Sequence, residues 1–244
     1  MGIFDQGKNR FVSHRGFQPL APANSLPSFY YAGLLGQWAI ETDLHLTRDG
    51  EIVCCHNDAV DTYCAGTGKI SEMTYAELLR LPLINGNRVE CFSDADRRIP
   101  KFSEYLEICR RFGSVPFIEL KTDDAEAVFA YMRRCGFEDG EIVMSSARLA
   151  RLEECRRVSK TAFIHWIFGK EEGLERLASL GNAGLSWKIA DPFECPAEKI
   201  SLAHGMGLKV CLRAADDLRS LARMQELGLD YVPTNTLHEE KLSK

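Results

Sequence analysis

The chain has 244 residues, 45% of them hydrophobic and 27% charged, an ordinary globular composition whose length suits one large domain as well as two small ones. A formal charge of −5, with Lys and Arg scattered rather than clustered, excludes the basic patch that a nucleic-acid backbone or an anionic membrane requires. The first ten residues are polar and charged where a secretory signal needs an apolar run, and no stretch approaches the ~18 to 20 apolar residues that span a bilayer, so a cytoplasmic location without stable membrane association is expected.

Short apolar runs alternate with helical patterns, the rhythm of repeated βα units. In chain order, residues 10–13 predict a strand, 26–35 a helix and 38–43 a second strand. Arg48-Asp49-Gly50 predicts a hairpin turn between 43–47 and 52–55. From about 57 to 100 the chain leaves the repeat and reads as a small insertion over one barrel mouth, with a Thr-capped helix at 74–81 and irregular loop at 85–98. Strands then follow at 115–120, 141–144, 161–167, 184–187, 209–212 and 231–232, separated by helices at 125–135, 147–156, 170–180, 197–205 and 217–227. Gly136, Gly181, Gly207 and Gly228 stand where helices can end in the left-handed conformation. Eight strands is the count a closed barrel needs, so the expected fold is α/β, a (β/α)8 TIM barrel forming a single domain over residues 1–244 with a short insertion after the second strand.

Nine cysteines lie dispersed, without a C-x-x-C pair, and read as free and mostly buried thiols. Cys54 and Cys55 project to opposite faces if they lie in a strand, one toward the barrel and the other toward the helices. Met1-Gly2 opens a myristoylation pattern that Gln6 breaks.

The candidate chemistry lies at predicted C-terminal strand ends. Glu41 and Asp43 share a strand face, about 7 Å apart along the backbone at the usual rise of ~3.3 Å per residue, and two such carboxylates can bind one hard cation. Glu119 and Lys121 repeat the geometry at the end of the next long strand, where barrel enzymes keep catalytic residues. His14-Arg15-Gly16 ends the first strand and His56 closes the hairpin, so two histidines face the same mouth. A phosphodiester needs a cation to neutralise its oxygens, a base for the nucleophile and an acid for the leaving alkoxide. Glu41, Asp43, Glu119, His14 and His56 supply that set, with Arg15 and Lys121 to hold the phosphate.

The fragments His14-Arg15-Gly16, Pro22-Ala23-Asn24-Ser25, Glu41-Thr42-Asp43, Leu46-Thr47-Arg48-Asp49-Gly50, His56-Asn57 and Ile118-Glu119-Leu120-Lys121 occur in the order and spacing of the motifs of the glycerophosphodiester phosphodiesterase family, which the chain resembles over its whole length and most closely to about Lys121. Gly66-Thr67-Gly68, followed by Thr74 and Leu78-Leu79, continues the match. The resemblance implies a barrel enzyme that hydrolyses glycerophosphodiesters, a small-molecule substrate, to glycerol 3-phosphate and an alcohol. It implies Mg2+ or Ca2+ held by Glu41, Asp43 and Glu119, and the family's paired histidines at His14 and His56. His14 is read as the general acid and His56 as the general base, while the sequence leaves open which histidine acts first as base and whether the nucleophile is water or a substrate hydroxyl that first forms a cyclic phosphate.

Four departures accompany the matches. Ala23 replaces a glutamate of the family pattern, and Asn57 replaces the aspartate beside the second histidine. Arg213-Ala214-Ala215-Asp216 stands where the family reads Trp-Thr-Val-Asn, and Thr234-Asn235-Thr236-Leu237 where it reads Thr-Asp-x-Pro. Arg213 thus becomes a candidate phosphate contact for a more anionic head group. His45 is expected to pack or to bind backbone, His204 to cap a helix or lie at the surface, and Trp166 and Trp187 to line the mouth or the core. Two other readings are a phospholipase-type barrel acting on a lipid or lysolipid head group, which would prefer an apolar or basic contact loop, and a non-catalytic barrel that binds a phosphorylated ligand.

Overall fold

The structure, a computed structural model, describes residues 3–4 and 10–239; the Met1-Gly2 pattern and Gln6 lie outside them. The strands are β1 (Phe11–Ser13), β2 (Ala39–Leu46), β3 (Ile52–Cys54), β4 (Val115–Leu120), β5 (Val143–Ser146), β6 (Phe163–Trp166), β7 (Ala183–Ser186), β8 (Lys209–Cys211) and β9 (Val232–Thr234). The helices are α1 (Leu26–Leu34), α2 (Tyr75–Leu78), α3 (Phe102–Phe112), α4 (Ala125–Arg134), α5 (Leu149–Val158), α6 (Leu174–Ser179), α7 (Ala197–Gly205) and α8 (Leu218–Glu226). Eight strands run parallel in the order β8-β7-β6-β5-β4-β2-β1-β9, and β3 pairs antiparallel with β2 as the predicted hairpin. No helix among the described residues is long and apolar enough to cross a membrane.

Strand alternation sorts the core into two layers. Val12, Ala39, Phe117, Val143, Phe163, Cys211 and Tyr231 gather inside the barrel, and the intervening Ile40, Ile118, Met144, Ile164 and Val210 pack under the helices. The lower end of the interior is stoppered by Phe4, whose ring lies 4.8 Å from Phe163 and 5.3 Å from Trp38. The Trp38 indole donates to the Ile3 carbonyl at 2.9 Å and ties the stopper down.

The barrel is nearly closed, and the seam has a chemical cause. Pro233 in β9 accepts from the Ala215 amide at 2.9 Å, but it has no N–H to offer on that same edge, so no regular ladder forms with β8. Asp230 takes over the closure: its amide donates to Val210 O at 2.9 Å, and its carboxylate accepts from Val210 N at 2.8 Å and pairs with Lys209 and His204. His204, in the last turn of α7, is therefore a surface residue serving the seam.

Helix α3 goes unread in the sequence although Phe102, Tyr105, Leu106 and Cys109 form an i, i+3, i+4, i+7 stripe, all of them buried. Treating the segment before it as irregular loop hid its start. The Tyr105 hydroxyl then donates to Ile40 O at 2.6 Å and accepts from Phe117 N at 3.0 Å, so this helix fastens β2 to β4. The insertion has its own apolar cluster, including Val60, Cys64, Ile70, Leu78, Leu83 and Ile99. Thr74 caps α2, which is shorter than the 74–81 expected. Cys54 joins the main core and Cys55 the insertion's cluster, so the pair does face opposite ways; β3 lies outside the barrel wall, and neither thiol reaches the interior. Among the nine free cysteines, only Cys91 is exposed.

His165 is buried in the barrel interior, its Nδ1 against the Tyr231 hydroxyl, and burial lowers its pKa to about 3. A neutral buried imidazole makes the unfolded chain the better proton binder between that value and the ordinary 6.5, so stability present above pH 6.5 is lost as pH falls through this window. Urea unfolding of His165→Gln should show a pH slope smaller than wild type by about 1.4 kcal/mol per pH unit between roughly pH 4 and 6; equal slopes would remove His165 from the linkage. Asp230→Asn should lower stability by about 1–3 kcal/mol through the seam, and an unchanged midpoint would show that closure rests elsewhere.

Candidate active site

Parallel register brings like charges together. Asp43 on β2 is the direct neighbour of Glu119 on β4, and Glu41 lies two residues before Asp43 on the same face. Carboxylate oxygens of Glu41, Asp43 and Glu119 all lie within 4.8 Å of one another, the arrangement expected from the sequence. Glu41 and Asp43 are buried and Glu119 is partly so.

The β1–α1 turn supplies the first counter-charges. Arg15 has φ 58° and Gly16 φ 79°, successive left-handed residues that turn the chain over the mouth. An added Cβ at Gly16 would lie 2.4 Å from Ser28 Oγ and 2.7 Å from the Ser28 carbonyl carbon, so glycine is required there for space as well as conformation. The turn points the Arg15 amide at Glu41 Oε2, 2.8 Å away, and sets the guanidinium Nε 3.5 Å from Asp43 Oδ2. Lys121 reaches Glu119 Oε1 at 2.5 Å and Asp43 Oδ1 at 3.1 Å. Asn24, also left-handed at φ 53°, donates to Asp43 Oδ2 at 3.0 Å and accepts from Thr42 Oγ1 at 2.8 Å.

Three carboxylates against two cations leave the cluster with an excess of negative charge, and its protonation behaviour follows. Burial, with Asp43 and Glu119 adding to it, pushes Glu41 well above the usual carboxylate range. Burial, then Asp43, raises Glu119. Burial also works to raise Asp43, but Lys121 and Arg15 with the Asn24 hydrogen bond outweigh it and hold Asp43 below its ordinary value. Asp43 Oδ1 receives no well-formed hydrogen bond despite being buried, because Lys121 lies close without donor geometry. An all-oxygen donor set with unneutralised charge and an orphaned buried oxygen fits a hard divalent cation.

The two expected histidines both arrive at this mouth. His14 follows β1, its amide bonded to Thr234 O at 2.9 Å; His56 follows Cys55, whose amide donates to Asp43 O at 2.9 Å. Burial lowers the pKa of each, with the Arg15 charge next in effect on His14 and the Asp43 charge opposing the shift on His56. Their Nδ1 atoms lie 2.9 Å from Asn235 Oδ1 and 2.8 Å from Asn57 Oδ1, respectively. His45 binds backbone as expected, with Nε2 3.3 Å from His56 O.

Arg213 is not brought to the carboxylates: it stands exposed just beyond β8, without a hydrogen bond or ion pair among the described residues. Trp166 and Trp187 are both buried. Sequence reasoning assigned no role to Asn24, Gln18 or Asn235, which contact expected site residues, nor to Asp216, which binds Asn235. Asn24 was visible as part of a matched fragment, and Asp216 and Asn235 only as departures from a pattern.

Comparison with known proteins bears on the fold and the family. A phosphodiesterase from Oleispira antarctica, solved in complex with the product sn-glycerol-3-phosphate, superposes with a TM-score of 0.80 at 24% identity over 93% of this chain and 92% of that one. Mouse glycerophosphodiester phosphodiesterase 1 is 31% identical over 111 residues, covering 45% of this chain and 33% of the mouse protein. A glycerophosphodiester phosphodiesterase of Caldanaerobacter subterraneus is 28% identical over 146 residues, covering 57% of this chain and 58% of its own. The matched stretches thus span only part of these relatives' lengths. The family profile, by contrast, matches residues 14–237, from the first site histidine to the residues beyond β9, and the chain belongs to the glycerophosphoryl diester phosphodiesterase family.

Proposed function

We propose that the protein is a metal-dependent phosphodiesterase that hydrolyses glycerophosphodiesters to glycerol 3-phosphate and an alcohol. The observation that carries this reading is the gathering of Glu41, Asp43 and Glu119 within 4.8 Å, with Arg15 and Lys121 beside them and two imidazoles at the same mouth. Family membership and the names of the relatives support it.

The three carboxylates would hold Mg2+ or Ca2+, which when bound neutralises charge on a phosphoryl oxygen. Arg15 and Lys121 carry the remaining positive charge and receive the other phosphate oxygens. Arg15 starts from a fixed main-chain position, because its amide is bonded to Glu41, which limits the ordering its guanidinium undergoes when substrate arrives. His14 and His56 divide the proton transfers, one relieving the nucleophile and the other protonating the leaving alkoxide. In this reading all of these groups serve one domain, and the small insertion at about 57–100, which follows His56 in the chain, would flank the mouth. Retention of both imidazoles, the three carboxylates and both cations argues against a non-catalytic binding barrel.

A second reading is favoured by one observation. Phe168, Phe193 and Leu218 are exposed on the segments that follow β6, β7 and β8. An apolar rim there suits a leaving alcohol that carries an acyl chain, as in a lysolipid phosphodiester. The insertion exposes Leu79 and Ile84, separated by Arg80 and the partly or fully buried Leu81 to Leu83.

Release of glycerol 3-phosphate from a panel of glycerophosphodiesters and lysophospholipids, with Mg2+ or Ca2+ and then with chelator, tests both readings. Glu41→Ala and His14→Ala should each lower turnover by about 100- to 10,000-fold, and chelator should abolish it. Full activity in either variant or in chelator would sink the mechanism, and preference for acylated substrates would select the second reading. Arg213→Ala should lower the rate on anionic head groups relative to neutral ones; an unchanged ratio would remove Arg213 from substrate binding.

A further inference from the structure

Behind His14 lies a relay that the hydrolytic reading leaves unused. Asp216, in the segment after β8, accepts from the Asn235 amide at 2.6 Å through Oδ1 and from Asn235 Nδ2 at 2.6 Å through Oδ2. Thr234 Oγ1 also donates to Oδ1, at 3.2 Å, and Thr236 Oγ1 bonds the Asp216 carbonyl at 3.0 Å. Both faces of the carboxylate are committed, so its position is fixed by the strand that carries Asn235.

The orientation of the Asn235 carboxamide then follows from donor and acceptor logic alone. A flipped amide would set its oxygen 2.6 Å from a carboxylate oxygen, two acceptors in repulsive contact, so the NH2 group must face Asp216. Asn235 Oδ1 is thereby turned toward His14 Nδ1, 2.9 Å away, and it also accepts from Gln18 Nε2 at 2.9 Å. Gln18 Nε2 also donates to the His14 carbonyl at 2.8 Å, and the Gln18 main chain is held by Asn87, whose Nδ2 donates to the Gln18 backbone carbonyl at 2.9 Å. An amide oxygen can only accept; the proton must therefore sit on His14 Nδ1. Nε2 has no hydrogen-bond partner among the described residues.

We propose that Asn235, locked by Asp216 and steadied by Gln18, is a positioning residue that holds His14 in the Nδ1–H tautomer and presents the Nε2 lone pair to the site as the proton acceptor of the first step. A neutral carboxamide transmits direction without placing a formal charge on the ring, so the imidazole is oriented but not held as an imidazolium. This reverses the acid and base roles expected from the sequence for His14 and His56. It rests on the reading of His14 as a proton-transfer group.

The test is the tautomer of His14 in uniformly 15N-labelled protein, read from two-bond 1H–15N imidazole correlations near pH 8, where an ordinary His is neutral. Wild type should show a protonated Nδ1 and an unprotonated Nε2. Asn235→Ala and the shape-conserving Asp216→Asn should both shift His14 toward the Nε2–H form and lower kcat by about 10- to 100-fold, with KM changed far less. The exchanged pair Asp216→Asn/Asn235→Asp restores donor and acceptor complementarity and should bring the Nδ1–H signature back. Circular dichroism and thermal melting establish that each variant is folded, and should Asn235→Ala fail to fold, Asp216→Asn supplies the same comparison. An unchanged His14 tautomer in the folded single variants, or the Nε2–H form in wild type, would overturn the proposal. If wild type showed no turnover on any substrate, the functional reading would fall while the tautomer spectra still decided the positioning claim.

Discussion

Two carboxylates side by side in adjacent parallel strands are an electrostatic burden, and the β2–β4 register makes Asp43 and Glu119 such a pair, with Glu41 on the same buried face. Nothing in the packing of the barrel calls for them. Register, however, is set by the alternation of apolar residues along each strand, and slipping by one would send Ala39 and Phe117 out of the interior. Tyr105 reinforces that choice by bonding both strands at once. The hydrophobic order of the barrel thus imposes the charge cluster, and the surrounding loops answer it.

Their answer comes in three forms. Lys121 extends from the end of β4 itself, two residues beyond the carboxylate it joins. Arg15 and Asn24 come from the turn before α1 and spend backbone conformations that side-chain-bearing residues rarely adopt. The Arg15 amide adds to the effect of its guanidinium, and a backbone donor aimed at Glu41 has no rotamer freedom to lose. What these groups leave uncompensated is negative charge, which adds to burial in raising Glu41 and Glu119 and suits the cluster to a divalent ion.

Most of this could be read without coordinates. The βα rhythm located every barrel strand, because each is a short apolar run bounded by polar turns, and period-two alternation placed Glu41 with Asp43 and Glu119 with Lys121. Helix α3 escaped although its stripe is regular, and the stopper at Phe4 escaped because a single aromatic outside any periodic segment announces nothing. The contacts among Gln18, Asp216, Asn235 and His14 join residues about 200 positions apart in the chain, and no local pattern carries such a relation. Pro233 had a readable consequence, the open edge beside β8, but which residue would bridge that edge depended on where Asp230 fell after closure.

The seam and the histidine relay are one feature seen from two ends. Asp230 bridges β8 and β9 near the lower rim, and the contact between Asp216 and Asn235 bridges the segments that leave those strands at the mouth. Two isolated backbone bonds and a few side chains, rather than a continuous ladder, join this edge, so it is where the barrel can breathe at least cost. An excursion that parts the two strands frees the carboxamide from its anchor, and with it the imidazole. The local opening free energy of one edge of the barrel therefore sets how long the geometry proposed for proton transfer at His14 persists, and under that proposal the durability of the fold and the readiness of its chemistry become the same quantity.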